Sequence, residues 1–381
     1  MVKTFPRVLQ VLPALESGGV EKATCDWVRI LRRDNPDIPT FVTSAGGRLV
    51  SQIVEEGAVH VLLPLATKNP FRLLQNARKL VLLAQQQEIQ LIHARSRAPA
   101  WSALWASRFL NLPFITTYHA VYKSAHRLKQ FYNSVMARGN RVIAISRFVA
   151  EHIRQHHGFL NPNICLISEG IDTDKFNPSF ISSAAVQKLR RGWGVPEGSR
   201  LILLPGRLTR WKGQEVLAQA LQLLNSKDIF TVFLGDDQGR HDYRHQLIQK
   251  TWGLPVAFVK DCSEMPTAYA AADLVLSCSV EAEAFGRVTA EALAMARPFI
   301  GTQLGATPEM CLQGETGFLV PPGDAYALAQ KIQEVFCLPL EKKTDLAHAA
   351  RDHIVSHFSL DRMTTLTKRV YEEVMECPIK P

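Results

Sequence analysis

Residues 281–309 read EAEAFGRVTAEALAMARPFIGTQLGATPE. Two carboxylates, Glu283 and Glu291, stand eight positions apart around Phe285-Gly286. Ahead of them the apolar run 274–278 reads as a short strand. Behind them 290–296 is a run of strong helix formers. Gly286 lets the backbone come close to a ligand. A helix opening there turns its first N–H groups and its positive dipole end to the loop, which suits a phosphate. Glu291 then lies about 7–8 Å further along the axis, at ~1.5 Å per residue. The two carboxylates can grip two hydroxyl-bearing parts of one ligand. A sugar ring, a diphosphate and a ribose in line would fit. Taken alone, such a pair reads more readily as two surface carboxylates at a helix start.

Upstream, residues 206–213 read GRLTRWKG. Together with the Glu pair this segment resembles the retaining nucleotide-sugar glycosyltransferases of family 4 (glycosyl transferases group 1), which have the GT-B fold. The resemblance runs from Gly18-Gly19 to the last helix. It implies an α/β architecture of two Rossmann-like domains facing a cleft, with a C-terminal helix crossing back to the first. The expected domains are 1–172, acceptor-side and completed by 361–381, and 173–360, which binds the nucleotide-sugar. The resemblance also implies the site. Glu283, Arg207, Lys212 and His119 are the expected catalytic set. Gly18, Gly19, Gly206, Val259, Lys260, Phe285, Gly286, Arg287 and Glu291 are the expected donor-binding set.

The electrostatic logic of the Arg207/Lys212 pair stands beside the resemblance. Negative charge builds on a diphosphate as it leaves a sugar. Two fixed cations stabilise that charge more in the transition state than in the ground state. They can stand in for a metal ion. No Asp-x-Asp metal motif stands out: Asp236 and Asp237 are adjacent, and Asp172-x-Asp174 lies in the stretch expected to link the domains. The expectation is therefore metal-independent chemistry with no cofactor beyond the nucleotide-sugar co-substrate.

Composition sets the remaining bounds. The 381 residues, 46% hydrophobic and 21% charged, fit a soluble protein of two ordinary domains. No apolar run approaches the ~20 residues of a membrane span. Residues 1–19 lack a cleavable leader pattern, because Arg7 and Gln10 interrupt them. A cytoplasmic protein is the expectation. Seven cysteines without CxxC pairs, Cys165 and Cys278 in apolar contexts, read as reduced buried thiols.

The net charge of +9 is lopsided. Residues 1–178 carry 22 Lys/Arg against 12 Asp/Glu, and 179–381 carry 22 against 23. Within 60–150 there are 13 basic residues and one acidic residue, Glu88. A basic half can meet nucleic acid, an anionic bilayer or a phosphorylated substrate. No aromatic-interleaved nucleic-acid motif is present. The expected acceptor is a membrane-embedded, lipid-linked saccharide such as a lipopolysaccharide core or a related envelope glycolipid. The enzyme would then sit peripherally on the inner face of the cell membrane.

In chain order, strands are expected at 7–12, 40–43, 60–63, 91–94, 113–117, 141–145 and 164–167, then at 200–205, 230–234, 255–259 and 274–278, while 305–309 and 317–320 complete the family pattern by resemblance. The Gly18-Gly19 turn opens a helix to about Arg33 and lacks the GxGxxG spacing of a dinucleotide site. It reads as a plain turn or as an anion- or sugar-binding loop. Pro70 opens a helix with Phe71, Leu74, Ala77, Leu80, Val81 and Ala84 at helical spacing. Residues 123–138 put Leu128, Phe131, Tyr132, Val135 and Met136 on one face of a helix ringed by Lys123, Arg127, Lys129 and Arg138. It is either a membrane-surface helix or one packed on its own domain. His119 follows a strand end, the edge where open α/β sheets bind ligands. By resemblance it contacts donor sugar or acceptor, and backbone near Val259 and Lys260 meets the nucleobase. Glu169 stands where the family often has an amide or His. Two alternatives keep the donor site but differ in outcome: a GT-B sugar-nucleotide epimerase, and a non-catalytic sugar-nucleotide-binding subunit.

Overall fold

The computed structural model describes residues 5–16, 18–122 and 126–376. The chain forms two compact units: residues 1–170 with 360–381, and residues 171–359. Strands of the first unit are β1 (Val8–Val11), β2 (Thr40–Ser44), β3 (Ala58–Leu62), β4 (Leu91–Ala94), β5 (Phe114–Tyr118), β6 (Arg141–Ala144) and β7 (Ile164–Leu166). They form one parallel sheet in the order β3-β2-β1-β4-β5-β6-β7. The second unit holds β8 (Arg200–Pro205), β9 (Ile229–Leu234), β10 (Val256–Val259), β11 (Leu274–Ser277), β12 (Phe299–Thr302) and β13 (Phe318–Val320). Their order is β10-β9-β8-β11-β12-β13, again all parallel. Central strands are buried on both faces, as in Val8–Val11 and Leu274–Ser277, which is why they read as unbroken apolar runs rather than alternating ones. Each unit thus has the parallel α/β sheet expected of the two domains.

The final helix, Leu360–Glu376, returns to the first unit. Leu360, Met363, Val370 and Val374 join the core built on Val8, Leu12, Trp27 and Leu31. Tyr371 is fully buried, and its hydroxyl accepts from Gln10 Nε2 at 2.9 Å. It also meets His93 Nδ1 at 2.6 Å, while His93 Nε2 meets Thr117 Oγ1 at 2.7 Å. Arg95 Nε donates to Gln10 Oε1 at 2.7 Å. A chain of satisfied polar groups thus runs under β1, β4 and β5, where an unpaired member would be costly.

Burial pushes the pKa of His60, His93, His119, His152 and His157 down. For His152, half-buried against His156, the value falls to about 4. Its Nε2 accepts from the Tyr122 N–H, a bond that protonation breaks. The unfolded chain binds these protons first. The stability they contribute is therefore complete above the unfolded value of 6.5 and is lost as pH falls toward 4. Lowering the pH from 7 to 5 should destabilise the wild type. After discounting for its exposure, the His152 share is about 1 kcal/mol. Urea melts at both pH values would show it: His152→Gln should lose about that much less. Equal losses would mean that His152 titrates alike folded and unfolded.

Two faces differ from their expected form. In the helix Pro70–Gln86 the buried side is Leu73, Ala77, Leu80, Leu83 and Ala84. Phe71 and Leu74 are exposed. The buried stripe is the one that packs on the helix Arg97–Leu110, where Ser102 Oγ donates to Leu73 O. The expected single helix over 123–138 is instead a short helix, Arg127–Asn133, and a tighter turn, Ser134–Ala137. Residues 123–125 lie outside the described residues. Val135 and Met136 are buried in the turn, while Leu128 and Phe131 stay exposed. Several helices had no expectation attached, among them Ser183–Gly192, Gln214–Leu224, His241–Lys250 and Leu340–His357.

Candidate functional site

In the second unit, β11 delivers the chain to a buried loop, Cys278-Ser279, and then to the residue 280–286 turn. Gly286 has φ +94°, a left-handed conformation that strains other residues, and caps the helix Arg287–Ala294. Glu283 is pinned through its backbone: its carbonyl accepts from Ala306 N at 3.0 Å. A Cβ on Gly305 would fall 2.5 Å from that same oxygen, so only glycine lets the two loops meet.

The Glu283 side chain receives two contacts on Oε1. Ser279 Oγ donates at 2.5 Å, and Lys212 Nζ lies at 2.8 Å. Both ends of the ion pair are about seven-eighths buried. Lys212 ends the turn Arg210–Lys212, which follows β8 and Gly206. Gly213 comes next, at φ +71°, where a Cβ would sit 1.8 Å from the carbonyl of Cys278. Val280 N donates to Trp211 O at 2.8 Å, and Lys212 Nζ lies 4.5 Å from the Trp211 ring centre. The two motifs quoted from the sequence are therefore bolted together by backbone contact. Arg207 is exposed, and among the described residues no carboxylate pairs with its guanidinium. Gln214 Nε2 donates to the Arg207 carbonyl at 2.9 Å, fixing its loop.

Glu291 has a separate set of partners. Tyr269 Oη donates to Oε2 at 2.8 Å, and Arg287 Nε lies 3.5 Å from Oε1. Burial, then the charge of Glu291, raises the Tyr269 pKa well above its ordinary value. Glu283 adds to this, so both carboxylates act on one phenol. Phe285 is buried, its ring centre 6.2 Å from that of Phe358. Its ring is core, which leaves the backbone to face a ligand.

Val259 and Lys260 line a cavity of about 260 Å³ with Leu208, Gly235, Asp236 and Phe258. Lys260 Nζ lies 3.6 Å from Asp236 Oδ2. Asp236 and Asp237 each use Oδ1 to accept a backbone N–H, from Gln238 and Gly239, and so shape a turn. Among the described residues no three His, Cys, Asp or Glu side chains converge as a metal site would need.

The first unit carries the other expected residues. Gly18 caps the helix Gly19–Asp34, and its carbonyl accepts from Lys22 N. His119 follows β5, with Nδ1 3.7 Å from Glu169 Oε2. Burial lowers the His119 pKa, and the Glu169 carboxylate opposes that. Tyr269 and Ser279 had no expectation attached. Arg287 and Glu291 are four apart, a spacing that pairs opposite charges on a helix, whereas Ser279 and Glu283 meet in a loop without a periodic signal.

Comparison with known proteins places these features in a group. The "Glycosyltransferase Family 4" profile matches residues 17–175, and "Glycosyl transferases group 1" matches residues 199–337. A solved glycosyltransferase from Rickettsia africae is 32% identical, with 98% of this chain and 100% of that one covered at a TM-score of 0.91. Anabaena Alr3699/HepE, solved in complex with UDP, shares the fold at 23% identity and a TM-score of 0.84, over 96% and 100% of the two chains. A D-inositol 3-phosphate glycosyltransferase of Corynebacterium aurimucosum is 28% identical over 59% of this chain. That match spans 55% of the relative's length.

Proposed function

The chain belongs to the family 4 glycosyltransferases of GT-B fold, and from that membership we propose that it moves a sugar from a nucleotide-diphosphate donor to a saccharide acceptor with retention of anomeric configuration. The observation that carries this reading is the junction of the 206–213 and 279–291 loops. It sets Arg207, which pairs with no carboxylate among the described residues, the paired cation Lys212 and the carboxylates of Glu283 and Glu291 on the two joined segments.

The donor diphosphate lies against Arg207, Lys212 and the N-terminal N–H groups of the helix Arg287–Ala294. Glu283 Oε1 is already taken by Lys212 and Ser279, so Oε2 is the oxygen that accepts from sugar hydroxyls. Glu291 accepts from the ribose. The base occupies the cavity beside Val259 and Lys260. As the glycosidic bond to phosphate breaks, charge grows on the diphosphate, where Arg207 and Lys212 oppose it. A departing diphosphate oxygen takes the acceptor's proton on the face of attack. No side chain acts as nucleophile.

The acceptor reading rests on the first unit. Its 60–150 segment carries 13 basic residues to one acidic. Phe71, Leu74, Leu128 and Phe131 are exposed among Arg72, Arg127 and Lys129. The helix Arg97–Leu110 joins them: Ser102 bonds Leu73 on one side, and Trp101 bonds Tyr132 O and meets the Phe131 ring at 5.3 Å on the other. Apolar rings fringed by cations suit the surface of an anionic bilayer, and hence a lipid-linked saccharide acceptor at the inner membrane face. Among the described residues no helix is long and apolar enough to cross a membrane.

Purified protein should bind anionic but not neutral vesicles, and release them as salt is raised. With the extracted glycolipid and the correct donor it should form a product whose anomeric proton signal shows the donor's configuration. An inverted product, or donor conversion that needs no acceptor, would contradict this reading. The second outcome would favour an epimerase.

A further inference from the structure

At the carboxyl edge of the first sheet, three side chains from three strand ends meet: Arg95 after β4, His119 after β5 and Glu169 after β7. The His119 and Glu169 side chains are 5% and 6% exposed. Among the described residues neither ring nitrogen of His119 has a hydrogen-bond partner. Two unsatisfied nitrogens on one buried ring are uncommon in a structural histidine, because each carries a desolvation cost. His93, one strand away, shows the satisfied case, with a partner on each nitrogen.

We propose that Glu169 is a positioning residue that acts through His119, holding the imidazole so that Nε2 accepts a hydroxyl of the saccharide substrate; this rests on the transferase reading above. The argument is electrostatic. Glu169 Oε2 stands 3.7 Å from Nδ1. A lone pair on Nδ1 would face that negative charge, so the proton belongs on Nδ1 and the lone pair on Nε2. The separation is longer than a hydrogen bond, so the carboxylate acts on the ring through its charge. A second proton is disfavoured by burial and by Arg95, while Glu169 and Glu21 favour it. Neighbouring His93 is itself held neutral by burial. A neutral ring with its donor fixed on a carboxylate presents one acceptor, and a sugar hydroxyl is the donor that matches it. Arg95, also buried, balances the charge of Glu169.

The test is tautomer-resolved ¹⁵N NMR on histidine-labelled protein at neutral pH, with the His119 signals assigned by their loss in His119→Gln. The wild type should show Nδ1–H, and its Nε2 signal should move when donor or acceptor is added. Glu169→Gln should lose the fixed tautomer and lower kcat/KM roughly tenfold, with nucleoside diphosphate Kd unchanged. Glu169→Asp should keep the tautomer and recover much of the rate. An Nε2–H ring in the wild type overturns the proposal, as does a tautomer unmoved by Glu169→Gln, or an Nε2 signal that ignores both substrates. The tautomer is read on the free protein and needs no turnover. A failed transferase assay and a failed Glu169 role are therefore separate results.

Discussion

Glu283→Gln lowers turnover by about a hundredfold to a thousandfold, with donor Kd changed by no more than about threefold. The size follows from what one carboxylate holds. Lys212 Nζ lies at 2.8 Å and Ser279 Oγ at 2.5 Å, both on Oε1, in a setting seven-eighths buried. Glutamine keeps the shape but removes the charge. Lys212 then loses the partner that fixes its position over Trp211, and a cation misplaced by about 1 Å no longer meets the growing diphosphate charge. The sugar hydroxyl keeps a hydrogen-bonding partner, because an amide at the Oε2 position can donate to it, so ground-state binding changes little. The backbone of Glu283 is held by Ala306 N and by the close approach of Gly305, so the loop itself should persist. Steady-state kinetics with a melt control would decide this. A turnover within about threefold of wild type would remove Glu283 from the catalytic set.

Glu291→Ala should act on binding, raising donor Kd about ten- to a hundredfold while kcat at saturation stays within about threefold. A carboxylate that grips the ribose contributes equally to ground and transition states, so its loss appears in Kd. The side chain has structural partners too, Tyr269 and Arg287, and removing it leaves the buried Tyr269 hydroxyl without its acceptor. Tyr269→Phe separates the two effects. It deletes the hydroxyl and keeps Glu291, so it should change stability with Kd moved by less than about threefold. If Tyr269→Phe weakens binding as much as Glu291→Ala does, Glu291 serves the fold rather than the ribose.

Much of this site was legible because its parts are local in sequence. The strand–glycine–helix succession around Gly286 follows from an apolar run, a residue that tolerates positive φ, and a run of helix formers. Central strands such as β1 and β11 were legible for the same reason, since burial on both faces leaves an unbroken apolar run, but β12, buried just as fully, had no expectation attached. The rest depends on contacts that no local pattern encodes. Lys212 and Glu283 lie 71 positions apart (283 minus 212), and their meeting is set by Gly213 passing under Cys278. Tyr269 looked like an ordinary residue of a short helix, and only the fold aims its hydroxyl at Glu291. Phe71 and Leu74 matched the helical period and are exposed all the same, because periodicity fixes a stripe and the neighbours choose which stripe is buried. Val135 and Met136 left the face of Leu128 and Phe131 when the helix tightened at Ser134.

The central claim is that the second unit holds a nucleotide-sugar on the joined 206–213 and 279–291 loops. Calorimetric titration with UDP, GDP and ADP, against wild type and Glu291→Ala, tests it most directly. One nucleotide should bind saturably, and Glu291→Ala should weaken that nucleotide about ten- to a hundredfold. Absence of binding by any of the three, or equal affinity in the variant, would contradict the account.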